Sequence, residues 1–331
     1  MKFMLLTTLI SVAFAVVSKQ RIHAENSPSI EKILDKPLFE GVYAASLTPM
    51  LPDFSCDYEE LAHHCKDLMN RGCSGVVLFG TTGEGPSFTI EERKRALKEL
   101  IERGIDPQRI IFGISCCSIN DAVELACHAV EQNCSAVMIA PPFFYKNVDD
   151  QGVIAYYREI IQQSCSPNIK IFLYHIPQCT GVPMTINVIK TLWGEFPNNV
   201  IGIKDSEGNF SFIKEILNSF PGFKVFVGHE TQISQAVQLG AAGGISGMAN
   251  AYPELICSLY HFARDRQKPD NNDEINSILK ELKKYPLFPA IKSLVMNKKG
   301  TRWRIMRPPL IPLDEKESQT LNLALKEINP A

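Results

Sequence analysis

The segment from Val200 to Ser206 reads VIGIKDS. Its four apolar residues run directly into Lys204 and Asp205, as expected for a buried parallel strand whose carboxyl end carries polar side chains. Seven other short apolar runs alternate with amphipathic segments of helical length, which is the pattern of repeated βα units. The eight predicted strands are Gly41 to Leu47, Gly75 to Phe79, Ile110 to Ile114, Ala136 to Ile139, Ile169 to Tyr174, Val200 to Lys204, Lys224 to Val227 and Gly243 to Ser246.

Eight βα units in succession favour a closed barrel over an open, doubly wound sheet, which usually has about six strands and a glycine-rich first turn. Here the first turn, residues 47–50, reads LTPM. Thr89, Ser118 and Thr185 are typical N-cap residues before three of the helices. We therefore predict an α/β protein with a (β/α)8 TIM barrel over residues 39–252. Extra helices over residues 253–331 should form a C-terminal segment packed on the barrel.

The composition is that of an ordinary soluble globular protein, with 45% hydrophobic and 21% charged residues and a net charge of -2. The charges form no basic stripe, so we expect no nucleic-acid partner. The ten cysteines show no spacing suited to zinc, and we expect no metal. Most of them are interpreted as small buried hydrophobic residues. His63 and His64 lie in an amphipathic helical segment and are expected to face solvent.

Residues 1–24 resemble a secretory leader. Lys2 precedes an apolar run from Phe3 to Val17, and Ala13 to Ala15 provide a small-residue cleavage site. The run is too short for a membrane span of about 20 apolar residues, so no membrane association is expected after its removal. A polar N-terminal extension follows over residues 25–38. These features predict a periplasmic or secreted protein. The alternative is a cytoplasmic enzyme with an uncleaved leader, because many free thiols are unusual in an oxidising compartment.

The candidate chemistry lies at strand ends, where barrel enzymes carry their reactive groups. Burial of Lys204 away from water would lower the pKa of its amine and favour the neutral form. A neutral amine could attack a ketone. The iminium that it forms would accept electrons from a neighbouring C-C bond. Tyr174 ends the preceding strand and could relay protons, with Thr81 and Thr82 as a hydroxyl link. Taken singly, each residue is more often structural: a paired lysine, a rim aromatic or a tight turn.

Together these motifs resemble the dihydrodipicolinate synthase and N-acetylneuraminate lyase family, over roughly residues 39–313. The resemblance implies a pyruvate-type Schiff base on Lys204 with no other cofactor, proton transfer by Tyr174 and a hydroxyl link through Thr81 and Thr82. It also implies a homotetramer that is a dimer of dimers. The matching motifs are GTTGE at 80–84, YHIP at 174–177 followed by Thr180-Gly181, GIKDS at 202–206 and RPPL at 307–310.

Three departures bear on the substrate. Cys179 stands where the synthases of this family carry an arginine that clamps the carboxylate of the aldehyde, and a thiol cannot replace a guanidinium. Phe144 occupies the position of the family's tyrosine that reaches into the neighbouring subunit, although Tyr145 could substitute after a one-residue slip. His229-Glu230 replaces the Asp-Glu pair expected of a sialate lyase. A sugar-acid or sialate-like substrate is therefore favoured over lysine biosynthesis, with the sugar left open.

The predicted function is that of a lyase or aldolase that makes or cleaves a C-C bond, or alternatively a C-O bond, between pyruvate or another 2-oxo acid and an aldehyde. The alternatives are 4-hydroxy-tetrahydrodipicolinate synthase and a non-catalytic protein that binds 2-oxo acids. The predicted partners are therefore small molecules. The 2-oxo acid would be bound by Gly80, Thr81 and Thr82, and the second substrate by Ser206, Gly228, Glu230 and Ser246.

Overall fold

Eight parallel strands close into a barrel in the order of the chain, and β1 pairs with both β2 and β8. The computed structural model describes residues 38–265 and 271–329. The barrel confirms the predicted (β/α)8 architecture. The strands are β1 Gly41–Ala45, β2 Gly75–Leu78, β3 Ile110–Ile114, β4 Ala136–Ile139, β5 Ile171–His175, β6 Val200–Asp205, β7 Lys224–Val227 and β8 Gly243–Ser246.

Helices surround the barrel, and the one that follows β8 packs against β1 and β8. Three more helices follow it at the C-terminal end of the described chain. The helices are α1 Tyr58–Asn70, α2 Ile90–Glu102, α3 Ile119–Glu131, α4 Asp150–Gln163, the short α5 Pro177–Thr180, α6 Ile186–Glu195, α7 Phe210–Ser219, α8 Ile233–Gln238, α9 Pro253–Asp265, α10 Asn272–Leu282, α11 Leu287–Lys299 and α12 Glu315–Ile328.

The predicted helix starts are confirmed by their caps. The Thr89 hydroxyl accepts a hydrogen bond from the Glu92 amide, and the Glu92 carboxylate accepts one from the Thr89 amide. Ser118 and Thr185 cap α3 and α6 through their side chains. Each cap satisfies a backbone amide that has no partner within its own helix.

The barrel interior is filled by aromatic rings at its centre. Phe226 lies edge-to-face with both Tyr43 and Phe172, with ring centroids 5.5 Å and 5.4 Å apart. Side chains alternate along a strand, so Tyr174 points to the same side of β5 as Phe172, one layer nearer the carboxyl end. The rings therefore form a packed floor under the residues at the strand ends.

The C-terminal segment holds the turn that follows β2. Lys292 on α11 donates a hydrogen bond to the Glu84 carboxylate at 2.6 Å, and the Arg307 amide donates to its other oxygen at 3.0 Å. Both charged side chains are buried. Burial lowers the pKa of Lys292, and the adjacent Glu84 charge opposes that shift. The buried pair thereby ties residues 80–85 to a helix about 200 residues away in sequence.

The expectation that His64 faces solvent is wrong. His64 is fully buried, and its Nε2 lies 2.8 Å from Asn250 Oδ1. Leu61, Cys65 and Leu68 share its side of α1, since residues three and four apart lie on one helical face. Desolvation lowers the pKa of His64 to about 3, so the ring is a neutral hydrogen-bonding group of the core.

Cys127 and Cys165 form a disulfide between α3 and the segment after α4. The other eight cysteines are free, and most are buried, as expected. The two paired residues are 38 positions apart, and nothing in their spacing distinguishes them from the other cysteines. The pairing depends on the packing of two neighbouring helices.

The predicted leader, residues 1–24, and residues 25–37 of the predicted extension lie outside the described residues. Within the ranges that the structure covers, none of the helices combines the length and the apolar character that crossing a membrane requires.

Replacing Lys292 with methionine should lower the free energy of unfolding by about 3–5 kcal/mol, because the Glu84 carboxylate would remain buried without its ammonium partner. Urea denaturation measures the loss. Lys280→Met, on the exposed side of α10, is the matched control and should change stability by no more than about 0.5 kcal/mol. The double variant Glu84→Gln/Lys292→Met should recover part of the loss. Equal stabilities of Lys292→Met and the control Lys280→Met would contradict the role of the Glu84–Lys292 pair.

Candidate active site

A cavity of about 480 Å³ opens at the carboxyl end of the barrel. Lys204, Tyr174, Thr81 and Thr82, which come from three different strand ends, all line it. These are the four residues that the sequence assigned to catalysis. They lie together because the carboxyl ends of all eight parallel strands meet at one end of a closed barrel.

Lys204 and Tyr174 are in direct contact. They are register partners on β6 and β5, and Lys204 Nζ donates a hydrogen bond to the Tyr174 hydroxyl at 3.3 Å. The same nitrogen lies 4.5 Å from the centre of the phenol ring. Lys204 is only 5% exposed. Its amine therefore lies in a sheltered position with one hydrogen-bonding neighbour and an open side toward the cavity.

Thr81 extends this contact into a chain of hydroxyl groups. Its Oγ1 lies 3.1 Å from the Tyr174 oxygen, and either group can be the donor. Thr81 is only half-buried at the cavity wall. The order Lys204, Tyr174, Thr81 provides a path by which a proton can move between the amine and the cavity.

The turn after β2 is held in a conformation with little freedom. Glu84 has a left-handed backbone with φ of 57°, and its amide donates to the Thr81 carbonyl. The Gly85 amide donates to the Gly80 carbonyl at 3.1 Å. A Cβ on Gly85 would meet the Phe79 carbonyl oxygen at 1.9 Å, so this position admits only glycine. Gly80 shapes the turn but does not itself line the cavity.

Three of the four residues predicted to bind the second substrate line the cavity: Ser206, Gly228 and Glu230. Ser246 does not. Its buried hydroxyl donates to Glu230 Oε1 at 2.7 Å, and the Met248 amide donates to the same oxygen at 3.2 Å. Ser246 therefore does not itself line the cavity. Its hydroxyl orients the Glu230 carboxylate from the side that faces away from the cavity.

Sequence reasoning missed several lining residues. Gln178 and Glu207 follow the ends of β5 and β6 by three residues or fewer, and a search that continued past the strand ends would have found them. Lys283 and Tyr285 from the α10–α11 connection, with Phe288 from the first turn of α11, line another part of the wall. Their position depends on how the C-terminal helices pack, for which the sequence holds no local signal. His229 also lines the cavity, with Nδ1 3.0 Å from Thr231 Oγ1.

Phe144 and Tyr145 lie outside this cavity. They are 74% and 75% exposed, on the segment after β4, and their rings pack edge-to-face against each other. The cavity of one chain therefore receives no hydroxyl from this segment.

A second polar cluster lies at the carboxyl ends of β5 and β6. His175 Nε2 is 3.4 Å from the Glu207 carboxylate and 3.8 Å from that of Asp205. Burial raises the pKa of Asp205 to about 7, with a smaller contribution from the Glu207 charge, while the nearby backbone amides of Gly208 and Glu207 act in the opposite direction. Burial also lowers the pKa of His175, so its ring is neutral at neutral pH.

This cluster has the residue types of a metal site, and its candidate ligand atoms lie within 4.8 Å of one another. The hydrogen bonding of His175 opposes that use. The Met184 amide donates to His175 Nδ1 at 3.0 Å, so the single proton of the neutral ring is on Nε2. A metal at Nε2 would require an imidazolate, whereas metal-bound histidines usually donate a proton from the other nitrogen.

Comparison with known proteins agrees with this fold. Residues 38–328 match the model of the Dihydrodipicolinate synthetase family. An uncharacterised DapA-like lyase of Chloroflexus aurantiacus is 31% identical over 87% of this chain and 96% of its own length. A 4-hydroxy-tetrahydrodipicolinate synthase of Brachyspira hyodysenteriae is 30% identical over 85% of this chain and 95% of its own length.

Among solved structures, a dihydrodipicolinate synthase from Agrobacterium tumefaciens superimposes with a TM-score of 0.83 at 31% identity, covering 87% of this chain and 99% of that one. The matches run through all eight strands and the C-terminal helices. This chain is accordingly a member of the Dihydrodipicolinate synthetase family of lyases and aldolases.

Proposed function

We propose that this chain is a Schiff-base lyase that makes or cleaves a C-C bond between pyruvate, or another 2-oxo acid, and an aldehyde. The observation that carries the proposal is the 3.3 Å contact between Lys204 Nζ and the Tyr174 hydroxyl in a cavity of about 480 Å³. A sheltered amine beside a phenol is the arrangement that covalent catalysis on a ketone needs.

In the proposed reaction the Lys204 nitrogen adds to the keto carbon, and loss of one water gives an iminium. In cleavage, the hydroxyl on C4 loses its proton, the C3–C4 bond breaks, its electron pair passes into the iminium to give an enamine, and the aldehyde leaves. A proton added at C3 then converts the enamine back into an iminium. In synthesis, loss of a C3 proton gives an enamine, whose C3 attacks the aldehyde carbon. Water then hydrolyses the iminium and returns the amine. Tyr174 accepts and donates the protons of these steps, with Thr81 as the next hydroxyl.

The carboxylate of the 2-oxo acid is assigned to the turn after β2. Because the Glu84 and Gly85 amides are used within the turn, the groups that remain at the cavity wall are those of Thr81 and Thr82. Backbone amides and hydroxyl groups in such turns bind anions well. The buried Glu84–Lys292 pair keeps this turn in place.

A sugar-acid or sialate-like substrate is favoured over the substrate of lysine biosynthesis. Cys179 lines the cavity at the position of the family's clamping arginine, and desolvation raises the pKa of its thiol, which is therefore uncharged at neutral pH. An uncharged thiol offers little to a carboxylate. The second candidate function is 4-hydroxy-tetrahydrodipicolinate synthase, the name carried by the Brachyspira hyodysenteriae relative.

Incubation with pyruvate followed by borohydride reduction should place a covalent adduct on Lys204, because reduction converts the iminium into a stable amine. Peptide mass spectrometry identifies the modified residue. Lys204→Ala should abolish the adduct, whereas Lys190→Ala, an exposed lysine on α6, should leave it unchanged. No adduct in the wild-type protein would refute the proposal. An adduct without turnover of any aldehyde in a broad panel would favour a non-catalytic binding protein.

Tyr174→Phe should reduce turnover by roughly 10²-fold or more, since it removes the proton-transferring hydroxyl and leaves the ring that packs on Lys204. Trapping of pyruvate should persist at a lower rate. A coupled assay of pyruvate formation measures turnover, and a timed borohydride quench measures trapping. Turnover within threefold of wild type would rule out the assigned proton transfer.

We also propose that the chain is exported and assembles as a homotetramer, with Phe144 and Tyr145 at a contact between subunits. Their exposure supports a role in packing, and the Cys127–Cys165 disulfide supports an oxidising compartment. Native mass spectrometry of the protein from a secreting host should give four chains, each shortened by about the length of the leader. A monomer, or full-length chains, would contradict the respective half of this proposal.

A further inference from the structure

The proposed reaction uses Lys204, Tyr174 and Thr81. It assigns no role to the neighbouring cluster of His175, Asp205 and Glu207. His175 and Asp205 are 3% and 0% exposed. Within the described part of the chain, neither His175 Nε2 nor either oxygen of Asp205 has a hydrogen-bond partner. Buried polar groups without partners are costly and usually have a function. The third member, Glu207, lines the cavity.

The Met184 hydrogen bond determines what His175 can do. Because Nδ1 accepts, Nε2 carries the proton and faces the Glu207 carboxylate at 3.4 Å. The distance is within hydrogen-bonding range but the N–H is not aligned with the carboxylate, and a small rotation of the exposed Glu207 side chain would complete a hydrogen bond to a charged acceptor, which is among the stronger hydrogen bonds in proteins. The ring itself is held by its packing against Phe212, with ring centroids 4.8 Å apart. His175 is therefore a fixed donor that can orient Glu207.

The charges around the cavity are unevenly distributed. Its lining carboxylates are Glu207 and Glu230, and its lining lysines are Lys204 and Lys283. Lys204 is consumed by the Schiff base. Lys283 belongs to the α10–α11 connection, which forms another part of the wall. The cavity-lining residues at the ends of β6 and β7 therefore include two carboxylates, Glu207 and Glu230, and no lysine or arginine other than Lys204, with the His229 imidazole beside them.

We propose that Glu207, oriented by His175, determines specificity: its carboxylate accepts a hydrogen bond from a hydroxyl of the aldehyde and repels an aldehyde that carries a carboxylate in the same place. The inference rests on the proposed function and adds a substrate class to it, an uncharged polyhydroxy aldehyde. Glu230, held by Ser246 and Met248, offers a second acceptor on the same wall.

The test compares condensation of pyruvate with D-glyceraldehyde, which is uncharged, and with glyoxylate, which is anionic. In Glu207→Gln, kcat/KM for glyceraldehyde should fall about tenfold or more, the loss expected for a hydrogen bond to a charged group, and kcat/KM for glyoxylate should rise several-fold. Glu207→Asp keeps the charge and should still discriminate against glyoxylate. The matched control is Glu102→Gln, an exposed carboxylate on α2, and it should behave as wild type.

His175→Phe keeps a ring against Phe212 but removes the N-H, so it should raise KM for glyceraldehyde more than it lowers kcat. Loss of the cooperative urea unfolding transition identifies a His175→Phe protein that has failed to fold, and the test then rests on the Glu207 variants alone. The inference is overturned if the ratio of kcat/KM for glyceraldehyde to kcat/KM for glyoxylate is the same in Glu207→Gln as in the wild type. It is also overturned if the wild-type protein prefers glyoxylate and Lys283→Ala abolishes that preference. Both leave the proposed function intact, whereas that function is refuted by the absence of a pyruvate adduct on wild-type Lys204 or by an adduct without turnover of any aldehyde.

Discussion

The pairing of β5 with β6 is the constraint on which the proposed site depends. It places Tyr174 beside Lys204 in register, and both side chains point into the barrel mouth. Side chains alternate along a strand, so a slip of one residue would turn one of the two toward the helices and separate the amine from the phenol. Closure of the barrel prevents such a slip, because each strand is held by two neighbours.

The polar residues around the site are supported in different ways. Glu84 has a buried ammonium and a backbone amide as partners, and Glu230 has a hydroxyl and an amide. These contacts offset the cost of burial and hold the surrounding turns rigid. Asp205 lacks such support and instead has a raised pKa. The chain therefore combines well-supported carboxylates at Glu84 and Glu230 with one buried carboxyl group, Asp205, whose oxygens have no hydrogen-bond partner among the described residues.

Most of the fold could be predicted from the sequence. All eight strands lie where apolar runs of strand length alternate with amphipathic segments, with ends displaced by at most two residues, and three helix starts follow from Thr89, Ser118 and Thr185. Local pattern was sufficient here because burial of one face and satisfaction of backbone amides act over a few neighbouring residues. The same local reasoning located Lys204, Tyr174, Thr81 and Thr82 at strand ends.

Only the tertiary structure decided the contacts between residues distant in sequence. It placed Ser246 behind Glu230, buried His64 against Asn250, paired Cys127 with Cys165 and brought Lys292 to Glu84. It also brought the α10–α11 connection to the cavity and aimed His175 at Glu207. Strand and helix patterns specify which face of an element is buried. Which partner meets that face depends on how all the elements pack together, and no short segment contains that information.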